Sequence, residues 1–235
     1  MSIPTGIPRA STLPRKRSWK RSWTRGALGD CWFLAGLMAV QQTDPKLLSD
    51  NITPKGSPPG SDGWTVRLYV DGEWRDISVA PSDLGVNGAR NAKNGEPGVL
   101  SIYEQAMINS VDGRASAVSA DTPAKGLEII TGQRARESDT LGQPSFEEFK
   151  QAIDEGRPVT VMTDPIKPIG PNSSELVSAH VYHVSGYDES TGEIILTNPH
   201  GPGPGDRPAP GYEVRVKPDD PGFPFDIFMT GIGEG

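Results

Sequence analysis

The chain has 235 residues, of which 34% are hydrophobic and 23% charged, with 28 Gly, 23 Pro and a formal net charge of −7. That length suits one large domain or two closely packed lobes, and the glycine and proline content points to many loops around a modest core. No run of 18 or more apolar residues occurs, which excludes a membrane-spanning helix, and a single cysteine excludes an internal disulfide framework.

Charge is unevenly placed. Residues 1–25 hold seven basic side chains and no acid, so the rest of the chain carries 16 basic and 30 acidic residues. Pro4, Pro8 and Pro14 and the lack of periodicity predict a disordered leader over 1–25. A basic arm for nucleic acid or a membrane is the functional alternative, and the solvated leader is preferred, so no nucleic-acid partner is expected. The N-terminus shows no apolar h-region and hence no recognisable signal peptide. The unpaired cysteine suits a reducing compartment. The expected location is cytoplasmic, or outside the cell after export without a recognisable signal.

Gly29 and Asp30 read as a turn and a helix cap. From Trp32 to Val40 no residue is charged, and the apolar ones do not keep to one face, which predicts a helix buried on nearly all sides. Cys31 is then its first residue, where unpaired N–H groups and the helix dipole favour a thiolate. A lone cysteine at a buried helix start is a candidate nucleophile. Trp32 and Tyr182 read as core residues, and Asp30 as a cap before a charge partner.

Further on, Trp64–Val79 reads as a small sheet with its turn at Gly72, followed by a helix around Leu100–Ser110. Lys55–Gly63 and Pro81–Pro97 read as loops. Small residues at Gly113–Ala120 suggest a boundary between a helical lobe, 26–118, and a β-rich lobe, 119–235. The second lobe is expected to begin with a helix at Pro123–Thr131. Ser145 with Glu148 three residues on is a capping box for a helix to Asp154. Strands are predicted at Pro158–Met162, Ala179–Tyr187, Glu193–Asn198 and Tyr212–Val216, with a Pro/Gly loop over Gly201–Gly211.

A nucleophilic thiol needs a base, and the chain has three histidines, His180, His183 and His200. Within the period-two run Ser178–Tyr187, His180, Tyr182 and Val184 share one face, and Val181, His183 and Ser185 the other. Asn198 lies at the exit of the next strand, which Pro199 stops. Neighbouring antiparallel strands bring His180 and Asn198 side by side, so that the amide oxygen fixes the imidazole tautomer and orientation. The spacing of one cysteine and three distant histidines does not make a zinc site, and no phosphate-binding glycine motif is present.

LGDCWFLA around Cys31, AHVYHVSGY around His180 and LTNPHG around Asn198 resemble the Cys, His and Asn boxes of the calpain family of papain-like cysteine proteases. That family reads QGxLGDCWFLA, GHAYxV and NPWG. His180 follows Cys31 by 149 residues and Asn198 follows His180 by 18, which fits. Leu68–Ile77 is similar to the family's GEWVDV segment, Tyr103–Ala106 to its LLEKAY helix, and Gly126–Gly132 to its short helix ending in TGG. The resemblance implies an α+β, two-lobed papain-like fold and a cysteine endopeptidase with Cys31, His180 and Asn198 as catalytic residues. Its substrate is then a protein or peptide, and the chain could be one part of a larger multidomain protein.

Two positions depart from the family pattern. Arg25 stands where the family has the glutamine that helps hold the oxyanion, and a guanidinium is longer, charged and shaped for carboxylates. His200 stands where the family has the cleft-wall tryptophan of NPWG. Animal calpains suggest calcium as an activator. Residues 15–25, however, contain no acid, and Pro97-Gly-Val99 precedes the helix, so no cofactor and no calcium dependence is expected. Two alternatives stay open: a weakened, protein-binding relative, and a transglutaminase or acyltransferase use of the Cys–His pair, against which Asn198 in place of aspartate argues.

Overall fold

The protein is described by a computed structural model over residues 29–84, 98–201 and 211–234. The basic leader with Arg25, most of the loop after Pro81 and most of the loop after Gly201 lie outside the described residues. Within them the chain mixes helices with two antiparallel sheets.

Helix α1, Cys31–Thr43, carries no charged residue, and all its residues from Cys31 to Val40 except Met38 are buried. A short helix α2, Pro45–Asp50, follows, with Asp44 capping it through Leu47 N–H at 3.0 Å. Strands β1, Ile52–Pro54, β2, Trp64–Val70, and β3, Glu73–Val79, form a three-stranded sheet. The β2–β3 turn at Asp71-Gly72 takes positive φ at both positions, as a tight hairpin requires. Helix α3, Val99–Ser110, packs on that sheet, and its buried Tyr103 hydroxyl donates to the Leu48 carbonyl at 3.0 Å.

Helix α4, Pro123–Thr131, starts at Thr122, whose hydroxyl accepts Lys125 N–H, and ends at Gly132 in the left-handed region. Its apolar residues Ala124, Leu127, Ile129 and Ile130 join the core built on α1, β2, β3 and α3. The crossing of α1 and α4 is close because each helix supplies a glycine there. A Cβ on Gly126 would stand 2.5 Å from the Trp32 carbonyl oxygen, and one on Gly36 would stand 3.1 Å from the Ile130 Cδ1 methyl.

The second sheet has six strands in the order β4-β9-β5-β6-β7-β8, all neighbours antiparallel. They are β4, Arg136–Asp139; β5, Val159–Thr163; β6, Val181–Asp188; β7, Glu193–Thr197; β8, Glu213–Val216; and β9, Ile227–Ile232. Helix α5, Phe146–Asp154, begins with the capping box: Ser145 Oγ accepts Glu148 N–H at 3.3 Å, and Glu148 Oε2 accepts Ser145 N–H at 2.9 Å. Phe146, Phe149 and Ala152 of α5 meet Val159, Val161, Tyr182, Val184, Ile194 and Leu196 in a second core.

The two faces of β6 serve different cores. Val181 packs with the residues of α1, whereas Tyr182 and Val184 belong to the second core. Helix α1 therefore lies across β5 and β6 as well as on α4. The pairing of β6 with β7 shifts by one residue between Val184 and Gly186, a bulge at Ser185 that interrupts the alternation expected along this strand.

The crossing of α1 and α4 gives a direct test. In Gly126→Ala the new methyl meets backbone, which cannot rotate away, so α1 must shift; overpacking of this kind costs about 1–3 kcal/mol. Gly36→Ala should cost less, because Ile130 can yield at its tip and the nearest backbone atom, the Gly126 carbonyl carbon, stands at 3.2 Å rather than 2.5 Å. Urea denaturation midpoints of the two variants and the parent check the order, and a Gly126→Ala protein as stable as the parent would refute it.

Candidate active site

Cys31 is the first residue of α1, as the sequence predicts. Gly29, with φ of +70°, turns the chain into it. The Asp30 carbonyl accepts Phe33 N–H and Leu34 N–H, each at 3.0 Å, and so closes the first turn. Asp30 holds the cap position through its main chain alone. Its side chain makes no capping bond, and both carboxylate oxygens are buried without a hydrogen-bond partner among the described residues. Asp30 is thus the cap residue, as the sequence predicts, with its carbonyl rather than its carboxylate closing the turn. Trp32 and Tyr182 are buried, as read from the sequence, and Trp32 Nε1 donates to the Val118 carbonyl at 2.9 Å.

The thiol of Cys31 is pushed above its ordinary range, first by burial and then by the negative charge of Asp30. The backbone N–H groups of Val181, Trp32 and Cys31 pull it back only in part. The expectation that the helix start favours a thiolate is therefore reversed in net direction. The dipole-side N–H groups act as foreseen, but desolvation outweighs them. The Val181 N–H at the thiol also places the sulfur beside the residue that follows His180.

His180 sits just before β6, where Ala179 adopts φ of +50°. Its backbone is clamped by Thr163: His180 N–H donates to Thr163 Oγ1 at 3.0 Å, and Thr163 N–H donates to the His180 carbonyl at 2.9 Å. The Thr163 hydroxyl spends its own proton on the Val177 carbonyl at 2.6 Å. Thr163 is a supporting residue that sequence reasoning missed, and nothing in the run Val159–Thr163 marks it. The His180 ring meets Tyr182 edge to face at 5.0 Å between centroids, while the Tyr182 hydroxyl accepts Val177 N–H at 3.0 Å. Burial raises the Tyr182 phenol, so it stays neutral.

His180 Nε2 lies 2.8 Å from Asn198 Oδ1, and His200 N–H donates to the same oxygen at 2.8 Å. An amide nitrogen could not accept that N–H, so the atom is the oxygen, and His180 must donate from Nε2. The tautomer is thereby set, and Nδ1 is left as the basic nitrogen. Asn198 is itself held by its N–H to the Tyr212 carbonyl at 2.8 Å and by its Nδ2 to the Gly211 carbonyl at 3.4 Å.

The strand register explains this meeting. His183 pairs with Thr197, and one further step of that register sets Tyr182 opposite Asn198, after which the chain turns, Gly201 N–H donating to the Asn198 carbonyl at 3.1 Å. Asn198 reaches His180 as a diagonal neighbour. The His200 ring, in the turn that follows Asn198, stands 4.5 Å from that of His180, tilted by 46°. Arg25 lies outside the described residues. Among the described residues, no three His, Cys, Asp or Glu side chains are grouped to hold a metal ion.

The calpain family cysteine protease model matches residues 8–203. The chain belongs to this family. Calpain-10 of the rat is 33% identical over 66 residues, a stretch that is 26% of this chain and 10% of that protein, and calpain-10 of the mouse matches to the same extent. The matched stretch thus spans about a tenth of the length of these relatives.

The third histidine of this family member has no partner in the site. His183 is buried, both its ring nitrogens lack a hydrogen bond among the described residues, and burial pushes its pKa down to about 4 from 6.5. Because the folded value is the lower one, the unfolded chain binds the proton first as pH falls. Stability that is full above pH 6.5 is lost on the way down to pH 4. From this group alone the loss between pH 7 and 4.5 should be about 2–3 kcal/mol. In His183→Leu that contribution disappears, and denaturation midpoints at the two pH values should lie closer together than in the parent. Equal acid losses in both proteins would exclude His183 as their source.

Proposed function

We propose that this chain is a papain-like cysteine endopeptidase, with a helical lobe built on α1 and a β-rich lobe carrying His180 and Asn198. The observation that carries this reading is the single Asn198 oxygen that accepts from both His180 Nε2 and His200 N–H. It orients an imidazole that keeps Nδ1 as its basic nitrogen, next in sequence to Val181, whose N–H favours the Cys31 thiolate.

In the proposed reaction His180 Nδ1 takes the thiol proton, giving a thiolate–imidazolium pair. Burial disfavours the lone thiolate, so transfer to the imidazole is the route to it. The sulfur bonds to the peptide carbonyl carbon, and the carbonyl π pair moves to oxygen. The Cys31 N–H at the helix start is one donor to that oxyanion, and Arg25, in the place of the family glutamine, is proposed as the second. As the oxyanion collapses, His180 protonates the departing amine and a thioester remains. His180 then deprotonates a water that attacks the thioester, and the carboxylic acid leaves as the thiol is restored. Asn198 orients the ring throughout, and His200 forms one wall beside it. The substrate is a protein or peptide; nucleic acid has no part in this chemistry. No helix among the described residues is long and apolar enough to cross a membrane.

Cys31→Ala and His180→Ala should each abolish peptide cleavage while leaving the circular dichroism spectrum intact. Their double variant should be no worse than either, because the two act as a unit. Asn198→Ala should retain more activity, since it orients without exchanging protons. Parent-level cleavage by Cys31→Ala would sink the mechanism. A parent protein that cleaves nothing in a denatured proteome, yet takes up thiol reagent at Cys31, would point instead to the protein-binding relative or to acyl transfer.

Calcium offers a separate check. Activity should be unchanged on chelation, because residues 15–25 hold no acid and calcium prefers clustered carboxylate and carbonyl oxygens. A large loss of rate with chelator, restored by added calcium, would contradict this.

A further inference from the structure

Asp30 is the anomaly of the site. It is 1% exposed, and neither carboxylate oxygen has a hydrogen-bond partner among the described residues. Burying a carboxylate without partners costs several kcal/mol, and a neutral residue would close the first turn of α1 equally well, because the main-chain carbonyl makes both bonds there. The position next to Cys31 gives the carboxylate something to act on.

We propose that Asp30 is a positioning residue for the nucleophile, its buried charge holding Cys31 as a protonated but intrinsically strong thiol until His180 takes the proton. Coulomb repulsion between the carboxylate and a developing thiolate opposes early ionisation, and the same negative charge favours an imidazolium nearby. Nucleophilicity falls as thiol pKa falls, so a charge that raises the thiol makes a better nucleophile once the proton has gone. Low dielectric around a buried anion keeps this influence strong.

The neighbours of the thiol single out Asp30. Helix α1 itself has no charged residue, and β5, packed against it, has no titratable one. The β6 side brings His180, Tyr182 and His183, of which the last two are neutral by burial at pH 7. Helix α3 brings the buried Tyr103 and Glu104, and α4 brings Lys125 and Glu128. Helix α2 brings Lys46 and Asp50, which pair with one another. Of these side chains, Asp30 is the one whose negative charge raises the Cys31 thiol.

The proposal rests on Cys31 as the nucleophile, and its test reads the thiol directly, so a failure of peptide cleavage and a failure here are told apart. Cys31 is the sole cysteine, hence alkylation of the full chain by iodoacetamide reports on it alone. One nearby charge is worth about 1 kcal/mol even at high dielectric, or about fivefold in thiolate at a given pH. Asp30→Asn should then move the alkylation midpoint to lower pH. The rate should be about two- to threefold faster at pH 6 and about twofold slower on the alkaline plateau, because the weaker base is the weaker nucleophile. The same crossing of the two profiles should appear in a His180→Ala background, where no imidazole shares the proton, and Asp30→Glu should keep the parent profile. A merely structural residue would not produce a crossover. An unmoved midpoint, or one moved upward, overturns the proposal. So does a finding that Asp30→Asn and Asp30→Ser both fail to fold while Asp30→Glu folds, since the carboxylate would then be needed for folding itself.

Discussion

Everything at the site depends on helix α1 being able to lie in apolar surroundings along almost its whole length. It packs on α4, on α3 and on the face of β5 and β6 that looks away from the second core. A helix so enclosed tolerates no charge, and its thirteen residues include none. It also has little freedom to slide, because Gly36 and Gly126 let the two helices approach until the Trp32 carbonyl touches α4. The first residue of such a helix is fixed in space as firmly as the core, and that residue is Cys31. The other half of the site is fixed differently, by hydrogen bonds that hold the chain around His180 at Thr163, Val177 and Asn198.

This division explains which parts were legible in the sequence. Helix α1 announces itself through missing charge, and α5 through a capping box that forms as read. The β2–β3 hairpin is marked by its turn glycine. By contrast, β4 and β9 escaped notice. The first is Arg-Glu-Ser-Asp, an edge strand with no apolar side to show. The second contains Gly231, whose missing side chain lets the backbone of Pro123 and Ala124 come close, so it looks broken when seen alone. Helix α4 was expected to open the second lobe, yet its apolar face packs on α1. A stretch of small residues before it says nothing of which core it joins.

At the site itself, alternation was enough to bring His180 and Asn198 to the same neighbourhood, but the diagonal offset comes from the register of β6 with β7, which no local pattern encodes. Thr163 could not be found, because its role lies in what its hydroxyl reaches across fourteen or more residues. The net direction of the thiol was misjudged for a related reason. The helix start is a local property visible in sequence, whereas the burial that outweighs it is collective.

The outer edge of the large sheet has a bearing on how the protein behaves in concentrated solution. Strand β4 is the outermost strand on one side, and a strand from a second molecule seeking its free backbone groups would have to pass Arg136, Glu137 and Asp139. On the far side, β8 turns Glu213 and Arg215 outward. Charged side chains on edge strands oppose edge-to-edge addition. A sheet of six strands, otherwise an open template for aggregation, is thus guarded at both margins by the residues that made β4 so hard to recognise.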